Sequence, residues 1–159
     1  MSCYQKLGAV ALLSLGLSGV AMAQAKPEDA IRARQSIMRV VALNFGPLAS
    51  MAQDKTPYNK DVFQANAVRL EQVWAMDASK YFAAGSDKPV AGSKIASFTD
   101  AKAEVWSKGT EFKTAHDKAG QEIGKLALLA KAGDEKAMKL QVGEIGKTCK
   151  GCHDNFKAQ

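Results

Sequence analysis

The sequence predicts an all-α protein, an antiparallel up-down-up-down four-helix bundle. Three observations predict it. Four stretches repeat apolar residues at alternating steps of three and four, the period of an amphipathic helix. All but one of the connections between them are short, which favours antiparallel neighbours. No stretch reads as a strand, and there are no repeats, Gly-rich phosphate loops or low-complexity runs.

Residues 1–23 stand apart from the bundle. Lys6 precedes an apolar run from Leu7 to Val20, and Ala21-Met22-Ala23 has the small-x-small pattern of a cleavage site. This reads as a secretory signal peptide cleaved after Ala23, because the run is short for a membrane span. Residues 24–159 then form one domain with one core. Cys3 leaves with the leader, so Cys149 and Cys152 are the only remaining cysteines and no thiol is left for a structural disulfide. The formal charge is +6 for the whole chain and +5 without Lys6. Basic and acidic residues are interspersed, which describes a solvated surface rather than a nucleic-acid face. A weak preference for acidic redox partners is compatible with it.

The first helix begins at Pro27, which suits a first turn, with Glu28 and Asp29 favourable to the helix dipole. Its seam is Ile31, Arg34, Met38, Val41, Phe45, Leu48 and Ala52. Gly46-Pro47 interrupts it, and because the seam continues in phase a kink is expected rather than an end. After a loop at Lys55–Tyr58, Asn59 caps a second helix with Phe63, Ala67, Leu70 and Trp74 on its inner stripe, fading near Phe82. Gly85 to Ser97 is the longest loop, and Thr99 to Trp106 reads as a short helical turn. Ser107 is the expected cap of the third helix, whose stripe is Phe112, Ala115, Ala119, Ile123, Leu126 and Ala130. Its Gly109, Gly120 and Gly124 lower helix propensity but permit close approach of a neighbour. Gly133 ends it and Asp134 caps the fourth, where Met138, Val142, Ile145, Cys149, Cys152 and Phe156 recur.

The chemistry lies at the end of that last helix, in Cys149-Lys150-Gly151-Cys152-His153. Two cysteines at i and i+3 followed by histidine form a c-type haem attachment site. On a helix the three side chains share one face. The thiols can add to the two porphyrin vinyl groups, and the imidazole can serve as the proximal iron ligand. A redox dithiol would want a βαβ context, and a closed zinc site needs four ligands, neither of which the chain supplies. One covalent haem c per chain is therefore expected, and covalent attachment in bacteria fits export to the periplasm.

Antiparallel packing sets the start of the first helix beside the end of the fourth. Arg34 and Met38 then share the haem's half of the bundle. Arg34 is expected to meet a haem propionate, since a guanidinium suits a carboxylate, in preference to snorkelling from the bundle end. Met38 has three possible roles: core filler, sixth iron ligand or steric cover over an open iron face. His116, among Lys113, Asp117 and Lys118 and beside the stripe, is expected at the surface.

Together these residues resemble the cytochrome c′ family, four-helix-bundle c-type cytochromes with haem near the C terminus. The resemblance spans the whole chain after residue 23. It rests on Lys26-Pro27-Glu28-Asp29-Ala30, Arg34-Gln35 with Met38, Phe45-Gly46-Pro47, Glu104-Val105-Trp106-Ser107, Ala132-Gly133-Asp134 and Cys149-Lys150-Gly151-Cys152-His153-Asp154. It implies a high-spin, five-coordinate haem with His153 proximal, Arg34 and Gln35 near the propionates, and Met38 at a bulky distal position unbound to iron. Lys157 stands where family members carry a proximal basic residue, often Arg. The resemblance also implies binding of nitric oxide and carbon monoxide but not oxygen, and homodimers through the first two helices. A related class with the same fold ligates iron with a first-helix Met, which Met38 also fits. The expected function is gas binding or electron transfer with an unidentified redox partner, without substrate turnover. A peroxidase would need a distal acid–base pair, and the first-helix seam offers Met38 and Val41 there. For the dimer, Ile37, Val40 and Leu43 of the first helix and Val62 and Val73 of the second are the expected outward apolar residues. Neither nucleic acid nor, once the leader is removed, a membrane is an expected partner.

Overall fold

The computed structural model describes residues 26–158; the signal-peptide expectation for residues 1–23 lies outside the described residues. Five helices follow one another: α1 (Pro27–Ala52), α2 (Lys60–Trp74), α3 (Glu104–Ser107), α4 (Gly109–Ala132) and α5 (Glu135–Phe156), with a 3₁₀ turn at Ala78–Tyr81. Among the described residues the only β pairing is an isolated bridge between Ala101 and Lys157. The all-α expectation holds.

α1 starts with Pro27 in its first turn and Glu28 and Asp29 beside the free N–H groups. It runs through Pro47 to Ala52, so proline does not end it early; Leu48 and Met51 beyond it stay on the buried face. Asn59 caps α2 as expected, its Oδ1 accepting from Val62 N at 3.0 Å. α2 ends at Trp74, two turns short of the expected fade near Phe82. Asp77 adopts a left-handed backbone (φ 54°), which an α-helix cannot accommodate, and the chain restarts as the 3₁₀ turn. Of the turn expected at Thr99–Trp106, only the Glu104 end is helical. Ser107 is spent as the last residue of α3, so Lys108 precedes α4 without a side-chain cap. Gly133 closes α4 at φ 78°, where a Cβ would be strained, and Asp134 Oδ1 accepts from Ala137 N at 3.0 Å to open α5.

The four long helices close a ring in which α1 packs on α2, α2 on α4, α4 on α5 and α5 on α1. Paired contacts fix their directions. Gln64 of α2 donates to the Ala130 carbonyl of α4 at 2.6 Å, whereas Trp74 at the other end of α2 stacks on His116. Lys139 of α5 reaches Asp54, just past α1, at 2.7 Å. Neighbouring helices are therefore antiparallel.

The packed core fills only one half of this ring. Leu48, Met51, Phe63, Leu126, Met138 and Val142 are almost wholly buried there. In the other half the seam continues in phase, yet Met38, Val41, Phe45, Cys149 and Cys152 are only half-buried, because they face a cavity instead of one another. On the outer faces Val40, Leu43 and Val62 are exposed. Ile37, expected among them, turns inward and is 6% exposed, and Val73 is half-buried.

Removing the Asp134 cap should weaken the α4–α5 end of the bundle. Asp134→Ala is expected to lower stability by about 1 kcal/mol, read as a lower urea midpoint with an unchanged slope.

Candidate functional site: a cavity at the C-terminal end of α5

The cavity has a volume of about 550 Å³ and takes its walls from all four long helices and from the segment between α2 and α3. Its lining is mainly apolar and aromatic, with Phe45, Leu70, Phe82 and Phe112 among its walls. Cys149, Cys152 and His153 line it together, as expected from their shared helical face. Both cysteines are free thiols. Burial pushes both thiols above their ordinary value, and Cys152 adds to the effect at Cys149, so both are protonated at neutral pH. His153 sits exposed at the rim. Apolar surroundings, then Lys157, pull its pKa below the ordinary 6.5, leaving a neutral imidazole with a free lone pair at pH 7.

Arg34 and Gln35 of α1 form another part of the rim. Arg34 is 4% exposed. Its Nη1 donates to Ser86 Oγ at 2.7 Å and to the Tyr81 carbonyl at 3.0 Å. Its Nη2 donates to the Ser86 carbonyl at 2.6 Å and Thr99 Oγ1 at 2.8 Å. The guanidinium lies over the Phe82 ring, 4.7 Å from its centre. Burial lowers its pKa to about 10, so it stays charged at neutral pH. All four acceptors are neutral oxygens, and none of the ion pairs among the described residues involves this cation. Gln35 Nε2 donates to the Phe98 carbonyl at 3.0 Å. The two residues thus fasten α1 to the cavity's outer loop, a role the sequence does not announce.

Met38 lines the cavity one turn after Arg34, followed by Val41, Ala42 and Phe45. The side chains of Met38, Val41, Ala42 and Phe45 carry no hydrogen-bond donor; Arg39, between them in sequence and also on the lining, is exposed. Lys157 also lines it, and its Nζ lies 3.4 Å from Asp100.

His116 corrects an expectation. It is buried, at 8% exposure, and lines the cavity instead of the surface. Its ring stacks on Trp74, with centres 4.7 Å apart and planes 23° apart. Gly120, one turn on, makes room for that indole: a Cβ there would fall 2.9 Å from Trp74 Nε1. Spacing could have found His116, since Phe112, His116, Ala119, Ile123, Leu126 and Ala130 step by 4, 3, 4, 3, 4. The charged neighbours Lys113, Asp117 and Lys118 masked it. A second unannounced feature is a chain of edge-to-face aromatic pairs, Phe82 on Phe112 and Phe112 on Phe156, that joins the loop to α4 and α5.

The residues fit a haem. Two thiols and an imidazole stand on one helical face, the cavity is apolar, and a buried cation with only neutral partners waits at its rim, matching a flat macrocycle with acidic groups along one edge.

His116 should leave a signature in the pH dependence of stability. Burial holds its pKa below the ordinary 6.5, outweighing Asp77 and Asp117, which raise it. The unfolded chain therefore binds the proton more readily, and stability falls as pH drops below about 6.5. In His116→Gln that part of the acid destabilisation should vanish, so melting temperature should decline less between about pH 6.5 and 5 than in the parent protein.

Comparison with known proteins points the same way. The family model described as "Cytochrome C'" matches residues 29–157. The cytochrome c′ of Rubrivivax gelatinosus is 39% identical over 132 residues, covering 83% of this chain and 96% of its own. Its crystal structure superimposes with a TM-score of 0.75 over 84% of this chain and 98% of that one. A mutant cytochrome c prime from Alcaligenes xylosoxidans, solved as its nitric oxide complex, has a TM-score of 0.73 at 30% identity, covering 85% of this chain and 98% of that one. With motif, cavity and fold in agreement, the chain belongs to the cytochrome c′ family, four-helix bundles that carry covalently bound haem c.

Proposed function

We propose that this is a periplasmic haem protein, exported by residues 1–23 and cleaved after Ala23, that binds nitric oxide and carbon monoxide, transfers electrons, or does both. The observation that carries this reading is the unequal lining of the cavity. One helix brings Cys149, Cys152 and His153, and another brings the apolar side chains of Met38, Val41 and Phe45, with the exposed Arg39 beside them. Bound haem supplies an iron centre for redox and diatomic-gas chemistry.

The chain's own residues shape that chemistry. Cys149 and Cys152 would hold the group, each thiol adding across one vinyl double bond with its sulfur on one carbon and its hydrogen on the other. His153, neutral at pH 7, would offer its lone pair to the iron. Arg34, a buried cation, favours the acidic edge of the group, with Gln35 beside it. Met38, which lines the same cavity, would cover the iron without bonding it. A bulky apolar cover disfavours oxygen, which relies on distal donors, while nitric oxide binds without them. The nitric oxide complex of the Alcaligenes xylosoxidans relative supports this reading. Low-spin Met/His ligation is the second reading, favoured by Met38 lining the same cavity as His153. We propose no turnover of a substrate. His116 is the other cavity histidine, but it is stacked on Trp74, with Nε2 turned to Asp77 at 3.9 Å and not placed as a distal acid–base group.

Mass spectrometry of the mature protein should show one added haem and no residues 1–23, and Cys149→Ser should leave at most one thioether. Two free thiols or bound zinc would reject the assignment. Absorption and paramagnetic-resonance spectra should be high-spin and keep their ligation in Met38→Ala, with faster carbon monoxide binding. A low-spin spectrum with a sulfur-to-iron charge-transfer band, abolished in Met38→Ala, would establish Met/His ligation instead.

The chain is further proposed to form a homodimer through α1 and α2, where Leu43 is 69% exposed and Val40 and Val62 lie open. Sedimentation at micromolar concentration should give a dimer, and Leu43→Glu should give monomers with an unchanged haem spectrum.

A further inference from the structure

We propose that His116 is a redox-linked proton acceptor, taking a proton from solvent when the cavity gains an electron and releasing it when the electron leaves. The inference rests on the haem reading of the cavity and goes beyond it.

His116 Nε2 is the one buried side-chain polar atom without a hydrogen-bond partner among the described residues. Its side chain is 9% exposed, and it borders the cavity that Cys149, Cys152 and His153 line. An unpaired buried acceptor is costly, and a proton on it removes the cost only if a negative charge is close. Asp77 Oδ1 lies 3.9 Å from Nε2, and Asp117 Oδ1 lies 3.9 Å from Nδ1. The imidazole thus sits between opposing influences: burial resists a positive charge there and two carboxylates favour it. One added electron places a negative charge in the same low-dielectric cavity and tips the balance toward the imidazolium.

The other charged groups around the ring do not compete. From the segment after α2, Asp77 is held ionised chiefly by the Ser79 hydroxyl, and Lys80 pairs with it at 3.4 Å. From α4, Lys113 and Asp117 pair at 2.6 Å. α2 contributes Trp74, which does not titrate. From α1, Arg34 stays charged, and Arg39, the other cation of this helix on the lining, is exposed to solvent. From α5, the thiols stay protonated until they become thioethers, and His153 is the proposed iron ligand. The step balances: an external reductant loses one electron to the haem iron, bulk water supplies one proton to Nε2, and the net charge of the cavity and its wall is unchanged.

The test is the midpoint potential of the holoprotein, measured at an electrode from about pH 5 to 8, where an unperturbed histidine would titrate. In the parent protein the potential should fall with rising pH below about 6.5, by at most about 59 mV per unit for one electron and one proton, and flatten above it. His116→Gln should lose that slope and hold the parent's high-pH value throughout. Asp77→Asn should move the sloping region to lower pH. Reduction in weakly buffered solution with an indicator dye should consume protons in the parent and none in His116→Gln. A slope or proton uptake that persists unchanged in His116→Gln overturns the proposal. Should that variant fold poorly, a sloping region that stays in place in Asp77→Asn overturns it equally. Absence of any haem redox wave would defeat the haem reading instead.

Discussion

The cavity depends on being held open from outside. Four helices with apolar seams would otherwise close on one another, and at the far end they do, around Leu48, Phe63, Leu126 and Met138. At the haem end the fastening is the buried guanidinium of Arg34. Four hydrogen bonds tie it to Tyr81, Ser86 and Thr99, which lie on the segment between α2 and α3. Trp106 Nε1 adds a bond to the Phe82 carbonyl at 3.0 Å, and the bridge at Ala101 and Lys157 ties the segment to the end of α5. The loop wall is therefore attached to α1, α3 and α5 without filling the space between them.

That arrangement divides the bundle by task. One half derives stability from ordinary burial of aliphatic side chains. The other half forgoes that burial, leaving seam residues such as Met38 and Phe45 half-buried. Its own rigidity comes from directional contacts: the Arg34 bonds, the edge-to-face rings of Phe82, Phe112 and Phe156, and the stack of Trp74 on His116 over Gly120. A bound cofactor adds the apolar contact that this half lacks.

Most of the architecture was legible in the sequence because helical periodicity and capping are local. Asn59, Gly133 and Asp134 mark their boundaries as their chemistry requires. The attachment motif was legible for the same reason, since i, i+3 and i+4 on one helix need no tertiary information. What escaped was non-local. The end of α2 is set by the left-handed Asp77, which no single residue type signals. The partners of Arg34 lie 47 to 65 residues away in a loop without periodicity. His116 was hidden because its charged neighbours outweighed its in-phase spacing, and Ile37 because one position on a helix decides between the inner and outer face.

The two-residue link at Gly133 and Asp134 also has a kinetic side. Closing a short loop costs less chain entropy than closing the long segment between Trp74 and Glu104. Contacts between α4 and α5 are thus the cheapest long-helix pairing to form first, and local pairings tend to form quickly. In such an early hairpin the wall contributed by α1 is still missing. Cys149, Cys152 and His153 would then lie on an open face, accessible to a large substrate or to attachment machinery. A hairpin of α4 and α5 alone would thus present all three attachment residues on one turn-linked unit.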